Sequence, residues 1–546
     1  MKKRLLLTFL SVLSIISTIR GQEIRANFNE SISEPLKQVN LLKKSGVTWV
    51  RGFIDLPLHL LENEGQEGKQ KIVGVKEEVI KNYQPTWDFI QAKKILGDNV
   101  HFILSLKIPF ERYEEGVPKV NSEEKKHLYN CVKLLLETYD LAKYIDILVM
   151  GNEPMWEHEG LSDADDYYNF LNDFADTLTE WKNEKHWNFE IFAGSLNRTA
   201  ELHSGNKIIQ KVMKVVEDNV NISGLDLHVH SWVAEQAEND MKCARETYRI
   251  TKKIISTEFS VVNSFKPEAT LGQWGTEHGY PSTMKLYEYL NQAQTRCNQG
   301  NPVPYDEFLS VIHSFKWYPK HWYKTFYKAF KKHNVYAITG RFSCTPGNLY
   351  TESTVLWDLG SIYSSRFMGT GIDGLQNPSP LVWPDFIECQ NGLIMKNLVV
   401  TQNSAFFEWG NMSSDNIKFK LQYYDNKDSD ISEWDIQEKY TLIKGLKPNT
   451  KYKISLLDGN NSDKVIYTRD FITATSIESN YKSLKVTDTG DYIFISLNNI
   501  SDDVEEVKFF LDGVEISEVQ TSLNGQELSA VINYGDGTNE VIYVKL

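Results

Sequence analysis

The chain has 546 residues, 41% hydrophobic and 12% aromatic, which exceeds one ordinary domain of ~100–200 residues and excludes wholesale disorder. With 59 basic and 73 acidic residues the net charge is −14, so the surface repels polyphosphate and no nucleic-acid partner is expected. The five cysteines (Cys131, Cys243, Cys297, Cys344, Cys389) are scattered, with no CxxC or metal-ligand spacing, which argues against a disulfide framework.

Residues 1–21 have the form of a signal peptide. Lys2, Lys3 and Arg4 precede an apolar run, Leu5 to Ile16, too short to span a bilayer, and small and polar residues lead to Gly21-Gln22. The expected mature protein is therefore secreted or periplasmic. No later apolar run is long enough for a membrane span, and the sequence leaves the oligomeric state open.

From 22 to 385, short apolar runs alternate with amphipathic stretches. Glu34 to Ser45 is spaced as a helix that Gly46 stops, and Lys125 to Tyr139 as another. The expected strands are Glu23–Asn27, Val47–Phe53, His101–Lys107, Tyr144–Met150, Phe189–Ala193, Gly224–His230, Lys253–Thr257 and Val335–Thr339. Eight strands alternating with helices predict an α/β fold, a (β/α)₈ TIM barrel, with an open doubly wound sheet as the competing topology. Two small all-β sandwich domains are expected to follow, at 390–475 and 476–546, where short strands are separated by Asn, Asp, Gly and Ser turns. Leu446-Lys-Pro-Asn-Thr-Lys-Tyr452 resembles the tyrosine corner of fibronectin type III domains, in which Tyr452 would bond back to nearby backbone and Trp409 would fill the core.

A TIM barrel carries its chemistry at the C-terminal ends of its strands. The fourth strand runs into Gly151-Asn152-Glu153-Pro154, and the seventh into Ser256-Thr257-Glu258-Phe259. Asn-Glu-Pro after an apolar fourth strand, with a glutamate ending the seventh, resembles the clan A glycoside hydrolases. The resemblance implies a retaining enzyme acting on β-linked polysaccharide or oligosaccharide, with Glu153 as general acid/base, Glu258 as nucleophile and Asn152 on the sugar 2-hydroxyl. Acetal cleavage needs this division of labour: one carboxyl delivers a proton to the leaving oxygen while the other, ionised, captures the anomeric carbon.

Clan members commonly keep an arginine near the nucleophile at the end of the second strand, so the resemblance implies that Arg51 holds Glu258 ionised. Alternation puts His228 and His230 on one face of the sixth strand, from which both are expected to enter the cleft. Asn197 and Arg198 follow the fifth strand and are candidates for sugar hydroxyls. Trp156, Trp232 and Trp274 are candidate stacking platforms, with Phe342 or Trp357 standing in for a tryptophan that many clan members carry after strand eight. Glu277 is a rival nucleophile in a Gly-rich loop, and Lys107 at the third strand's end matches no common clan motif. His-x-His hints at zinc, but no third ligand is evident in sequence, so neither metal nor cofactor is expected. The alternatives are a non-catalytic glycan-binding protein on a glycosidase-derived barrel, a transglycosylase, and a metal-dependent hydrolase.

Overall fold

The structure, a computed structural model, describes residues 24–28, 32–157, 164–371 and 374–391, then strands and some connections between 394 and 545. The expected signal peptide lies outside these residues, as does the side chain of Trp409.

Eight parallel strands follow one another around a barrel: β1 (Ile24–Phe28), β2 (Trp49–Asp55), β3 (His101–Lys107), β4 (Ile147–Met150), β5 (Glu190–Asn197), β6 (Gly224–His230), β7 (Lys253–Ser260) and β8 (Val335–Arg341). β1 pairs with both β2 and β8, through Ala26–Val50 and Ile24–Ile338, and this closes the sheet. The molecule is a TIM barrel followed by small all-β sheets, and the open-sheet alternative falls.

Most connections carry a helix that lies on the outer face. Ser122 caps Glu123–Glu137 by accepting the Lys125 N–H at 3.2 Å, and Asn206 caps Lys207–Asp218 through the Ile209 N–H at 3.1 Å. The stretch read as one helix over 34–45 breaks at Gln38 into Glu34–Lys37 and Val39–Ser45, and Gly46 ends it at φ 64°. Outward strand residues such as Leu225, Leu227 and Val229 join the large core beneath the helices.

The barrel interior has a separate, smaller core. Trp49, Ile103, Ile147, Val149, Phe192, Ile255 and Ala337 fill its lower half, toward the strands' N-terminal ends. Two residues further along β2, β3 and β8, the corresponding positions are the buried polar Arg51, Ser105 and Thr339. That change from apolar to polar sets the floor of the site.

Between β7 and β8 an insertion contributes helices Gly272–Glu277, Leu286–Asn298 and Tyr305–Ser314 ahead of Trp322–Lys332. After β8, Asp358 accepts from Arg341 Nη2 at 2.7 Å, Arg366 Nη1 at 2.7 Å and Tyr350 Oη at 2.5 Å, which pins the turn Trp357–Gly360. Helix Trp383–Asn391 occupies the stretch where the barrel's expected C-terminal boundary falls, and Trp383 lies 6.3 Å from the Tyr467 ring.

The sheets beyond are antiparallel. A three-stranded one (Ile394–Val400, Ser404–Gly410, Tyr440–Lys444) accompanies a four-stranded one (Ser432–Ile436, Ile417–Tyr423, Lys451–Asp458, Asn461–Ile472). The Tyr452 hydroxyl accepts the Lys447 N–H at 2.6 Å, the backward bond expected of a tyrosine corner. The last region holds a strand pair and a further four-stranded sheet. Among the described residues, no helix is long and apolar enough to cross a membrane.

Candidate active site

Glu153 owes its position to the turn after β4. Pro154 opens the short helix Pro154–Glu157, where a missing N–H costs nothing, and the Glu153 carbonyl accepts from the Trp156 and Glu157 amides. Glu153 itself sits at φ 38°, a left-handed conformation that a non-glycine residue holds only at a cost of about 1–3 kcal/mol. Its Oε1 accepts from Asn197 Nδ2 at 2.8 Å and faces His228 Nδ1 at 3.3 Å.

Glu258 is set by a bulge. Asp226 and His228 on β6 pair with Ile255 and Glu258 on β7, so two steps on one strand match three on the other. The extra residue lets consecutive Thr257 and Glu258 both turn to the interior. Glu258 Oε1 takes Arg51 Nη1 at 2.7 Å, and Oε2 lies 3.3 Å from His230 Nε2 and 3.9 Å from His228 Nδ1. Burial alone would push this carboxyl up, but His228, Arg51 and His230 outweigh it and hold Glu258 well below the ordinary 4.5.

The fully buried His228 stands between the two glutamates. Desolvation opposes its charge. Glu258, the bond to Glu153, and Asp226 more than offset that and raise it above the ordinary 6.5. Glu153 is lowered correspondingly: burial raises it, but the bond to His228 and the charges of both imidazoles prevail. Both shifts favour the proton on the imidazole rather than on the Glu153 carboxyl.

Asn152 is bonded at both ends of its amide, accepting from Arg51 Nη2 at 3.2 Å and donating to Glu157 Oε1 at 3.1 Å. These bonds serve the protein's own framework. Glu157, which the sequence did not single out, also meets Lys107 Nζ at 3.1 Å, and this explains the unmatched lysine ending β3. Burial pushes the Glu157 carboxyl up to about 7 despite Lys107 and Asn152. Asp226, Thr257 and Ser195 were missed as well, although in Gly224-Leu-Asp-Leu-His-Val-His230 Asp226 shares the register of both histidines.

Trp156 and Trp232 are 40% and 50% exposed and stand on the residues that follow Glu153 and His230. Trp232 borders an open pocket of about 310 Å³ that Arg198, Gln236 and Asn239 also line. Arg198 pairs with Glu201. Trp357 meets the His230 ring edge-on at 5.0 Å and is 37% exposed, whereas Phe342 is fully buried. Trp274 is no platform: it is buried, stacked on His278 at 4.1 Å, and its Nε1 donates to Ser310. The exposed Glu277 accepts from Gln273 within the insertion helix Gly272–Glu277 and stays out of the cluster.

Glu153, His228 and His230 bring donor atoms within 4.8 Å of one another, a spacing open to a cation. Arg51 already places a fixed positive charge on Glu258, and both inner imidazole nitrogens face carboxylates, so the arrangement is that of a proton-sharing network.

No family model and no curated protein matches the chain. Among solved structures it is similar to beta-glucuronidase 3 of Bacteroides uniformis, at 8% identity over 96% of this chain and 62% of that one, with a TM-score of 0.36. An endo-β1,6-glucanase gives 10% identity, 77% and 91% coverage and a TM-score of 0.35. Chitinase ChiA74 from Bacillus thuringiensis gives 12%, 96% and 97%, and 0.34. These structural neighbours are glycoside hydrolases, and the chain spans about three-fifths of the glucuronidase's length (62%). Likenesses this slight leave the function to be argued from the site itself.

Proposed function

We propose that the protein is an exported retaining glycoside hydrolase that cleaves β-linked polysaccharide or oligosaccharide, with Glu258 as nucleophile and Glu153 as acid/base. The observation that carries this reading is one imidazole nitrogen, Nδ1 of His228, reached by carboxyl oxygens from the ends of both β4 and β7, at 3.3 and 3.9 Å. A shared nitrogen keeps the carboxyls close, a condition that retaining enzymes meet at ~5–5.5 Å.

The roles follow from the surroundings. Arg51 and His230 keep Glu258 an anion without consuming the lone pair it needs for attack. Glu153 shares a proton with His228, so its protonated form is one transfer away. Attack of a Glu258 oxygen on the anomeric carbon breaks the glycosidic bond as Glu153 protonates the leaving oxygen. Water then attacks the same carbon, losing a proton to Glu153 and releasing Glu258. Trp357 offers a ring beside the nucleophile, and Trp156 and Trp232 offer rings beyond the acid/base, where sugar C–H faces stack. The C-terminal sheets, the first of them fibronectin type III-like, serve as spacer and brace.

The test is hydrolysis of aryl β-glycosides and plant, algal and host polysaccharides by wild type, Glu153→Ala and Glu258→Ala, with the first product anomer read by NMR. Turnover with a β first product, lost in both variants, is expected. Full activity in both variants would contradict the assignment, and sugar products larger than the substrate would indicate transglycosylation.

A further inference from the structure

Asp226 lies fully buried inside the barrel, two residues before His228 on β6, and the chemistry above does not touch it. A carboxylate taken out of water costs several kcal/mol unless hydrogen bonds compensate. Here three donors point at it: Ser195 Oγ at 2.7 Å, Thr257 Oγ1 at 2.6 Å and the Thr257 N–H at 3.0 Å. Two irregularities build this nest. The β7 bulge turns Thr257 inward, and a register break in β5 between Ala193 and Leu196 turns Ser195 toward Asp226. In that second bulge Gly194 takes φ 130°, and a Cβ there would lie 2.4 Å from the Asp226 carbonyl oxygen, so only glycine fits.

The Thr257 hydroxyl has one proton, committed to Asp226. It therefore meets Nε2 of His228, 3.0 Å away, with a lone pair, and Nε2 must carry hydrogen. That fixes Nδ1 as the nitrogen that gains and loses a proton, and Nδ1 faces Glu153 Oε1. We propose that Asp226 is a positioning residue which, through Thr257 and His228, determines that the proton exchanged in catalysis is shared between His228 Nδ1 and Glu153 Oε1.

The proton's final destination rests on the acid/base role proposed for Glu153. His228 is raised above 6.5 by Glu258, Glu153 and Asp226 and Glu153 is lowered below 4.5 by His228, so the shared proton favours Nδ1 over Oε1. Transfer of the proton from Nδ1 to Oε1 leaves His228 neutral with hydrogen on Nε2, and Glu153 can then donate it to the leaving oxygen. The charged and titratable groups facing His228 are Glu153 after β4, Asp226 and His230 on β6, and Glu258 on β7, with Arg51 of β2 behind Glu258. Removing the Asp226 charge destabilises the imidazolium. An amide there also donates to Thr257, freeing its hydroxyl to donate to Nε2 and forcing the other tautomer.

The test is imidazole-nitrogen NMR of the full chain carrying isotope-labelled histidine, with the His228 signal assigned by its loss in His228→Gln. In wild type, neutral His228 is expected to hold hydrogen on Nε2. Asp226→Asn and Thr257→Val should each lower its titration midpoint by about one unit or more, and in Asp226→Asn the neutral hydrogen should move to Nδ1. Thr257→Ser, which keeps the hydroxyl, should behave as wild type, and thermal melts establish that each variant is folded. Unchanged tautomer and midpoint in Asp226→Asn and Thr257→Val would overturn the inference. In turnover, Asp226→Asn, whose neutral His228 keeps only the Nδ1 hydrogen and has no proton to pass to Glu153, should lose roughly tenfold or more additional kcat/KM on phenyl than on dinitrophenyl β-glycosides, because the better leaving group needs no proton. Equal losses on both would overturn the link to the acid/base. A wild type inactive on every substrate, with the NMR result as expected, would overturn the glycosidase reading and leave the hydrogen-bond relay standing.

Discussion

The two halves of the barrel interior are built from the same strands and do opposite work. At the bottom, Trp49, Ile103, Phe192, Ile255 and Ala337 form a dry plug with no polar atom to satisfy, apart from the indole N–H of Trp49. At the top, Arg51, Ser105, Asp226, His228, Thr257 and Glu258 are just as buried but bonded to one another. On β2 only Val50 separates Trp49 from Arg51, and on β3 only Leu104 separates Ile103 from Ser105. The plug supplies stability at no chemical cost, while the polar layer spends stability to hold charges where water cannot screen them. Substitutions in the two layers should therefore separate folding from activity.

The largest combined effect is expected for Arg51→Ala, which leaves the buried Glu258 without its cation. Denaturant unfolding should show a loss of about 3–5 kcal/mol at neutral pH, together with collapse of turnover. Because Glu258 is held below 4.5, the stability from its partners is present above that pH and fades as pH falls through the lowered value, so wild type and variant should converge on acidification. Phe192→Ala, in the plug, should also lose about 3–5 kcal/mol, yet kcat of the folded enzyme should be unchanged. A matching fall in kcat would erase the distinction between the layers.

Glu157→Gln tests the polar layer's edge. Glu157 holds its proton in the fold up to about 7, above the ordinary 4.5, so wild-type stability should decline as pH rises through that window. The glutamine variant should lack this slope and be the more stable at pH ~8 by on the order of 1–3 kcal/mol. The smallest effect is expected far from the barrel: Tyr452→Phe removes the bond from the Lys447 amide and should cost about 1 kcal/mol, with no change in turnover.

The strands were legible because each is a compact apolar run, and His101–Lys107 and Gly224–His230 keep their expected bounds. The apolar pattern stops short on β2, β5 and β7, which continue through Asp55, Asn197 and Ser260, since polar residues facing a buried network resemble loop residues in sequence. Glu153, Glu258, Arg51 and both histidines were found from strand ends and motif, and the fold gathers them. Thr257 and Ser195 were invisible because each is turned inward by a bulge, a main-chain event that breaks simple alternation. Glu157 was hidden because its partner Lys107 ends a different strand, far away in sequence. Trp274 misled for the opposite reason: a tryptophan in an insertion reads the same in sequence whether it faces the cleft or fills a core.

The measurement that tests the central claim most directly is the anomeric configuration of the glycosyl azide formed when Glu258→Ala and Glu153→Ala act on an activated aryl β-glycoside with azide present. A double displacement with these roles predicts the α-azide from Glu258→Ala, because azide replaces the missing nucleophile. It predicts the β-azide from Glu153→Ala, because azide intercepts the glycosyl-Glu258 ester. The same azide configuration from both variants, or the two exchanged, would contradict the assignment of nucleophile and acid/base.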